Sequence, residues 1–281
     1  VPIAHVGHRD LSQYGKLKYA PPALVDPVTI TLSSTNRAPR LDPTRDYILR
    51  CPAPVAASGG VVIDGGRNVV AIGGGVDLGS VYSATNGNRG LFIKGNASGA
   101  VPRTVHVEGW ALSGYLTEGI NIDTLGDPQT RVVLQNMVVG EVKGSFGSNH
   151  ADVIQTWRGP YELYTDRVYG QTTYQGIFAD PHKFDPVALG TWRLSRMYLK
   201  GSSESGALLW ITEGAADGSD RPMIVTDDVW LKPNPAKQYP GQVVYAKAAY
   251  WGTGVKRCPG GKRSPVSSNP GPHYVSPGYL A

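Results

Sequence analysis

Gly119-Ile120-Asn121-Ile122-Asp123 alternates apolar and polar residues, opens on glycine and closes on aspartate. The same grammar returns in Gly90-Leu91-Phe92-Ile93-Lys94, Val153-Ile154-Gln155-Thr156-Trp157 and Gly176-Ile177-Phe178-Ala179-Asp180. It returns again in Ala207-Leu208-Leu209-Trp210-Ile211 and Gln242-Val243-Val244-Tyr245-Ala246. The second position is always Leu, Ile or Val, at 91, 120, 154, 177, 208 and 243, with gaps of 29, 34, 23, 31 and 35 residues. Self-similarity at such an interval is the mark of a repeat architecture.

A second set of short apolar pieces lies between these segments: Val105-His106-Val107, Val132 to Asn136, Tyr161 to Tyr164, Trp192 to Leu194 and Met223 to Val225. Each repeat therefore supplies two or three strands. One such rung cannot bury its apolar side alone, whereas stacked rungs share a continuous core. The expected fold is all-β, a solenoid of parallel strands. Its parts are an irregular N-terminal arm and cap over 1–57, the coil over 58–252 and an extended Gly/Pro/Ser-rich tail over 253–281. A β-sandwich with turns every 8–12 residues is the competing architecture. Strand alternation sends Leu91, Ile93, Ile120, Ile122, Ile154, Ile177 and Leu208 inward, and Asn121, Gln155 and Phe178 outward. Val153 stands where three other rungs have glycine and leaves the third register open. The tail could run back over the stack, with Tyr274, Tyr279 and Leu280 packing on it.

Composition agrees with sheet. The 281 residues include 36 Gly and 22 Pro, are 41% hydrophobic and only 17% charged. Scarce Lys, Glu and Met exclude a helical bundle, and the apolar content excludes global disorder. No apolar run of 18 residues occurs, which excludes a transmembrane helix. The net charge of +5 suits an anionic partner such as an acidic glycan. No run of five like charges marks a nucleic-acid tail. Cys51 and Cys258 could form one disulfide or stay as two thiols, and two cysteines alone make no zinc site. The chain opens Val1-Pro2-Ile3, as expected of a trimmed or mature form whose missing piece could have been a secretion signal. Asn96-Ala97-Ser98 fits an N-glycosylation acceptor, a triplet common by chance. His5 and His8 read as polar surface of the arm.

The Gly-Ile-x-Ile rungs, and above all Asn149-His150-Ala151-Asp152-Val153-Ile154-Gln155, resemble right-handed parallel β-helix proteins of the pectate-lyase-like group. The resemblance spans roughly residues 58 to 250. It implies a single-stranded right-handed β-helix. That group holds polysaccharide lyases, glycoside hydrolases, phage tailspikes and non-catalytic adhesins, so the fold leaves the function open. It implies a polysaccharide partner and a secreted, extracellular or virion-attached setting, with a trimer if virion-attached.

Chemistry concentrates between Gly144 and Lys183. His150 with Asp152 reads as an acid/base pair, or as plain turn formers ahead of a strand. Asp152 with Asp180 reads as a carboxylate pair for glycoside hydrolysis. The same two with Asp123 offer oxygens to a Ca²⁺ ion, the one cofactor considered. β-Elimination needs a base and a cation against a uronate carboxylate, and His150, Tyr174, His182, Lys183 and Arg158 supply those types. Asn121, Asn149, Gln155, Trp157, Arg158, Gln175 and Glu213 would bind sugar, with Trp157 outward as a platform and Trp210 inward in the core. The leading expectation is cleavage of an acidic polysaccharide by β-elimination in a groove along the coil. The alternatives are hydrolysis by an Asp pair and a non-catalytic glycan-binding tailspike or adhesin module. There is no Gly-x-Ser-x-Gly elbow, and Gly73-Gly74-Gly75 lacks the Lys-Ser/Thr of a phosphate loop.

Overall fold

A computed structural model describes residues 15–80, 87–95, 103–125, 130–184, 188–202, 205–212, 221–258, 265–266 and 269–280. The chain is all-β and its strands fall into two sheets. One sheet holds β1 (Val28–Thr31), β3 (Asp46–Arg50), β5 (Asn68–Asp77), β7 (Thr104–Ser113), β9 (Arg131–Val142), β11 (Glu162–Thr172), β13 (Thr191–Gly201), β15 (Met223–Lys232) and β17 (Val255–Arg257). The other holds β2 (Arg40–Leu41), β4 (Val61–Gly65), β6 (Arg89–Lys94), β8 (Glu118–Asp123), β10 (Asp152–Thr156), β12 (Gln175–Ala179), β14 (Leu209–Ile211) and β16 (Val244–Tyr245). Odd strands neighbour odd strands, even strands neighbour even ones, and each ladder between them is parallel. The chain thus crosses between two long parallel sheets at every step, an order compatible with a β-helix solenoid.

The six repeat segments of the sequence are β6, β8, β10, β12, β14 and β16. Leu91 pairs with Ile120, Ile120 with Ile154 and Ile154 with Ile177, as the repeat spacing predicts. One register differs from expectation by one residue: Leu209, not Leu208, faces Ile177, whereas the next keeps the expected 35-residue offset, with Val244 facing Leu209. Leu208 and Leu209 are both fully buried, so hydrophobicity alone could not choose between them. The shift turns Trp210 outward, a correction to its assignment to the core. The two sheets also reach into segment 1–57, where the alternating Val28-Thr29-Ile30-Thr31 forms β1 and the short strands β2 and β3 follow between prolines. Asp46 secures that end: its buried carboxylate takes Arg67 Nε at 2.8 Å and the Val25 N–H at 2.7 Å. The bond from Arg67 leads in holding its pKa down to about 2, against burial.

The core lies between the sheets, where Leu91, Ile93, Ile120, Ile122, Ile154 and Ile177 are fully buried. Its packing explains Val153. A Cβ on Gly90 would come within 2.8 Å of Leu112 Cδ1, and one on Gly119 within 2.8 Å of Val139 Cγ1. One on Gly176 would meet Leu199 Cδ1 at 3.0 Å. At the remaining level the sizes are exchanged: Val153 projects toward Gly170, whose Cβ would lie 2.2 Å from Val153 Cγ1. A branched residue on either sheet thus meets a glycine on the other, which keeps the core volume constant from level to level.

Each long odd strand carries one left-handed residue at the same level: Gly73, Gly109, Asn136, Arg167, Arg196 and Asp228, with φ from 46° to 68°. Such a residue breaks the pleat and bends the strand. Both ends of the described chain lie along this bend. The Leu17 N–H donates to Gly278 O and the Leu280 N–H to Leu17 O, each at 2.8 Å. Arg167 donates to Gly15 O and Lys16 O, and the Lys18 N–H donates to Asp166. The Gly271 N–H donates to Gly109 O. Gly109 has to be glycine here, because a Cβ would lie 2.0 Å from the Tyr274 ring. The tail therefore runs back over the stack. Tyr274 and Tyr279 pack there as expected, whereas Leu280 stays exposed.

Glu108 fastens the tail. Its fully buried carboxylate accepts the hydroxyls of Tyr274 and Tyr279, each at 2.8 Å, and Gln135 Nε2 at 3.0 Å, with His106 Nε2 at 3.1 Å. Burial pushes the carboxyl up, but the bonds from His106, Ser276, Tyr279 and Tyr274 outweigh it and hold the pKa below the ordinary value. In turn burial, helped by Glu108, pushes the Tyr279 hydroxyl to about 12. Replacing Glu108 with Ala leaves these buried donors without an acceptor, at a cost of about 3 kcal/mol or more. Urea denaturation is expected to show that loss, and limited proteolysis faster cleavage in 269–280. Because the folded pKa is depressed, this contribution is complete above the ordinary carboxylate value and is lost as pH falls through the folded one. The wild-type tail should thus loosen in acid, and the variant should lose that acid dependence.

Candidate functional site: the outer face of the eight-stranded sheet

Alternation along β6, β8, β10 and β12 brings two rows of side chains to the outer face, and a third joins them because the residue before each Leu/Ile position also faces the core, which breaks the alternation there. The middle row is Val62, Phe92, Asn121, Gln155, Phe178, Trp210 and Tyr245, one from each strand β4 to β16. Two amides thus sit inside a line of rings. Phe178 lies 4.6 Å from Trp210, and Trp210 stacks on Tyr245 at 5.4 Å, centroid to centroid. Asn121 Nδ2 donates to Gln155 Oε1 at 2.8 Å. Both amides were expected to face outward, and they do, but neighbouring strands cover them to 0% and 3% exposure.

A second row stands two residues before the Leu/Ile position: Arg89, Glu118, Asp152 and Gln175. The Arg89 guanidinium is ion-paired with Glu118. Asp152 is fully buried, and neither carboxylate oxygen has a hydrogen-bond partner among the described residues. Burial first, then the negative charge of Glu118, raises its pKa well above the ordinary carboxylate value, with Lys183 pulling the other way. Asn121 Oδ1 and Gln175 Oε1 are also buried without a partner among the described residues. Buried polar atoms are nearly always satisfied. Three such side chains on adjacent strands mark a place built for a ligand or water.

The third row is Lys94, Asp123, Trp157, Asp180 and Thr212. Trp157 faces outward as expected. Phe92 and Phe184 contact it edge-on, and Arg89 and Lys183 lie over it at 5.6 and 5.1 Å from its centroid. Lys183 makes no ion pair among the described residues and rests on the Trp157 and Phe184 rings.

Other expected site residues take different parts. Arg158 is committed to Asp123 through Nε at 2.9 Å and Nη2 at 2.7 Å. Asp123, Asp152 and Asp180 do not converge, and among the described residues no group of three or more His, Cys, Asp or Glu could hold a metal. Asp180 is five strand residues away from the Asp152 level, ~16 Å along an extended strand, too far for a hydrolytic pair. Burial raises its pKa, opposed by Lys183, Thr212 and His182. His150 does not bond Asp152: its ring packs among Phe146, Tyr174 and Phe178. Asn149 braces the preceding loop by donating to Thr117 O and Lys143 O. Tyr174 lies near enough to Asp152 for that charge, after burial, to raise its hydroxyl pKa. Glu213, Asn96-Ala97-Ser98, His5 and His8 lie outside the described residues. Cys51 and Cys258 are buried thiols, not a disulfide.

Sequence reasoning missed Arg89, Glu118, Phe92 and Tyr245. The signal was present: Arg89 and Glu118 stand two residues before Leu91 and Ile120, as Asp152 stands before Ile154. A cleft of about 660 Å³ lined by Pro54, Ala57, Asp77 and Leu78 lies elsewhere and gathers no carboxyl pair.

Fold and site together define an all-parallel β protein with one polar, aromatic-lined sheet face. No protein-family model, curated protein or solved structure matches the chain. Among the described residues no helix is long and apolar enough to cross a membrane.

Proposed function

We propose that the chain is a single-stranded right-handed parallel β-helix that binds an extended polysaccharide along this outer face and hydrolyses it, with Asp152 as proton donor. The carrying observation is Asp152 itself: a buried carboxyl with no hydrogen-bond partner among the described residues, its pKa raised well above the ordinary value by burial, beside the aromatic and amide row. A general acid must hold its proton at working pH, and apolar burial is the usual means. Strands repeat every ~4.8 Å, close to the length of one hexopyranose in an extended chain. Successive rings and amides can therefore meet successive sugars. Asp152 is covered, so substrate reaches it only where neighbouring side chains give way. The setting that suits such a substrate is extracellular, secreted or virion-attached.

β-Elimination is the second reading, favoured by the Lys183 ammonium, which makes no ion pair among the described residues and whose charge reaches Asp152. It ranks lower because Arg158 is spent on Asp123 and the Tyr174 pKa is raised, which weakens both cation and base. A screen of acidic and neutral polysaccharides, read for new reducing ends and for absorbance near 235 nm (roughly where unsaturated uronates absorb), separates the readings. Reducing ends without absorbance support hydrolysis. Both signals together would replace it with β-elimination. Binding without either would make the face a glycan-binding module.

A further inference from the structure

Glu118 is the residue that the hydrolytic reading leaves unused. It sits on β8 at the level of Asp152 on β10, each two residues before the paired Ile120 and Ile154. Adjacent parallel strands lie ~4.8 Å apart, so the two carboxyls are neighbours on one face. Retaining glycosidases hold their carboxyls about 5–5.5 Å apart, and inverting ones about 6.5–9.5 Å. The two environments differ in kind. Glu118 is ion-paired with Arg89, whose guanidinium is fixed over the Phe92 and Trp157 rings at 5.2 and 5.6 Å. Asp152 has, among the described residues, no cation bonded to it and no donor on either oxygen.

Resting on the hydrolytic reading, we infer that Glu118 is the catalytic nucleophile and that the glycan is cleaved with retention of anomeric configuration. In the first step a Glu118 oxygen bonds to the anomeric carbon while the bond from that carbon to the leaving sugar's oxygen breaks. That oxygen takes the Asp152 proton. In the second step water gives a proton to the Asp152 carboxylate and its oxygen bonds to the anomeric carbon. The ester bond to Glu118 breaks, and both carboxyls return to their starting states. Arg89, ion-paired with Glu118, acts as a positioning residue that keeps the carboxylate oriented until the ester forms.

The test uses the intact protein and a glycan it cleaves. Proton NMR of the first-formed product should show the anomer of the substrate. Glu118→Gln should lower kcat by at least 10³-fold with KM little changed and an unchanged thermal midpoint. Glu118→Ala with added azide should recover turnover and yield a glycosyl azide of inverted configuration. A first-formed product of inverted configuration, or a Glu118→Gln enzyme keeping more than a tenth of wild-type kcat, would overturn the assignment and leave Asp152-dependent hydrolysis standing. Unsaturated products would overturn both.

Discussion

Asp152→Asn should slow cleavage by about 10²–10⁴-fold and leave the fold at least as stable as before. That is the cost of removing a general acid, and the loss is expected in kcat with KM nearly constant, since Asn keeps the shape of the carboxyl. The stability half of the expectation follows from linkage. A carboxyl whose folded pKa is raised contributes fully below its unfolded value, and that contribution is lost as pH rises through the folded value. Wild-type protein therefore carries the cost of a buried, partnerless carboxylate in alkali, whereas the Asn variant does not. Thermal melts between pH 5 and 9 should show the variant's advantage growing with pH. Activity should follow the same group in the opposite sense, falling as the acid loses its proton. A variant that is inactive and also less stable would mean that Asp152 supports the fold and not the reaction.

The second large effect belongs to the core. Gly170→Val should destabilise by about 3 kcal/mol or more, at the upper end of overpacking costs, because its Cβ would stand 2.2 Å from Val153 Cγ1. Val153→Gly alone should cost about 2 kcal/mol through lost burial and a cavity. The double variant restores the exchange of a branched residue against glycine and should be more stable than Gly170→Val alone. Contacting pairs couple by about 0.5–3 kcal/mol, and urea melts of the four proteins would measure the term. Strict additivity would show that the two positions do not share a space.

These two sites also show what the sequence made legible. Leu91, Ile120, Ile154 and Ile177 could be aligned because a buried position repeated at near-constant spacing tolerates only apolar side chains. Val153 was opaque, since its explanation is Gly170, which lies on the other sheet. Trp210 was misplaced because Leu208 and Leu209 satisfy burial equally well. In the site, Asp152, Gln155 and Trp157 were found by residue type. Their environments were not, because burial and partners depend on neighbours about 30 residues away. His150 and Arg158 looked chemical by type, yet one is packed among rings and the other bonded to Asp123. Glu118 looked ordinary by type and gained interest only from standing beside Asp152.

The meeting of the chain's two end segments at Leu17 and Tyr279 has a consequence for how the molecule comes apart. A stack held only by nearest neighbours frays from its extremities, where a peeled strand gains the freedom of a dangling end. Here the segment preceding β1 and the segment following β17 are both fastened at mid-height on the bend. An outermost strand that detaches therefore becomes a tethered arc, and a closed arc gains less entropy than a free end. Opening at the two extremities is thereby coupled to release of a clasp far from either, so the stack should come apart as a unit instead of unzipping strand by strand.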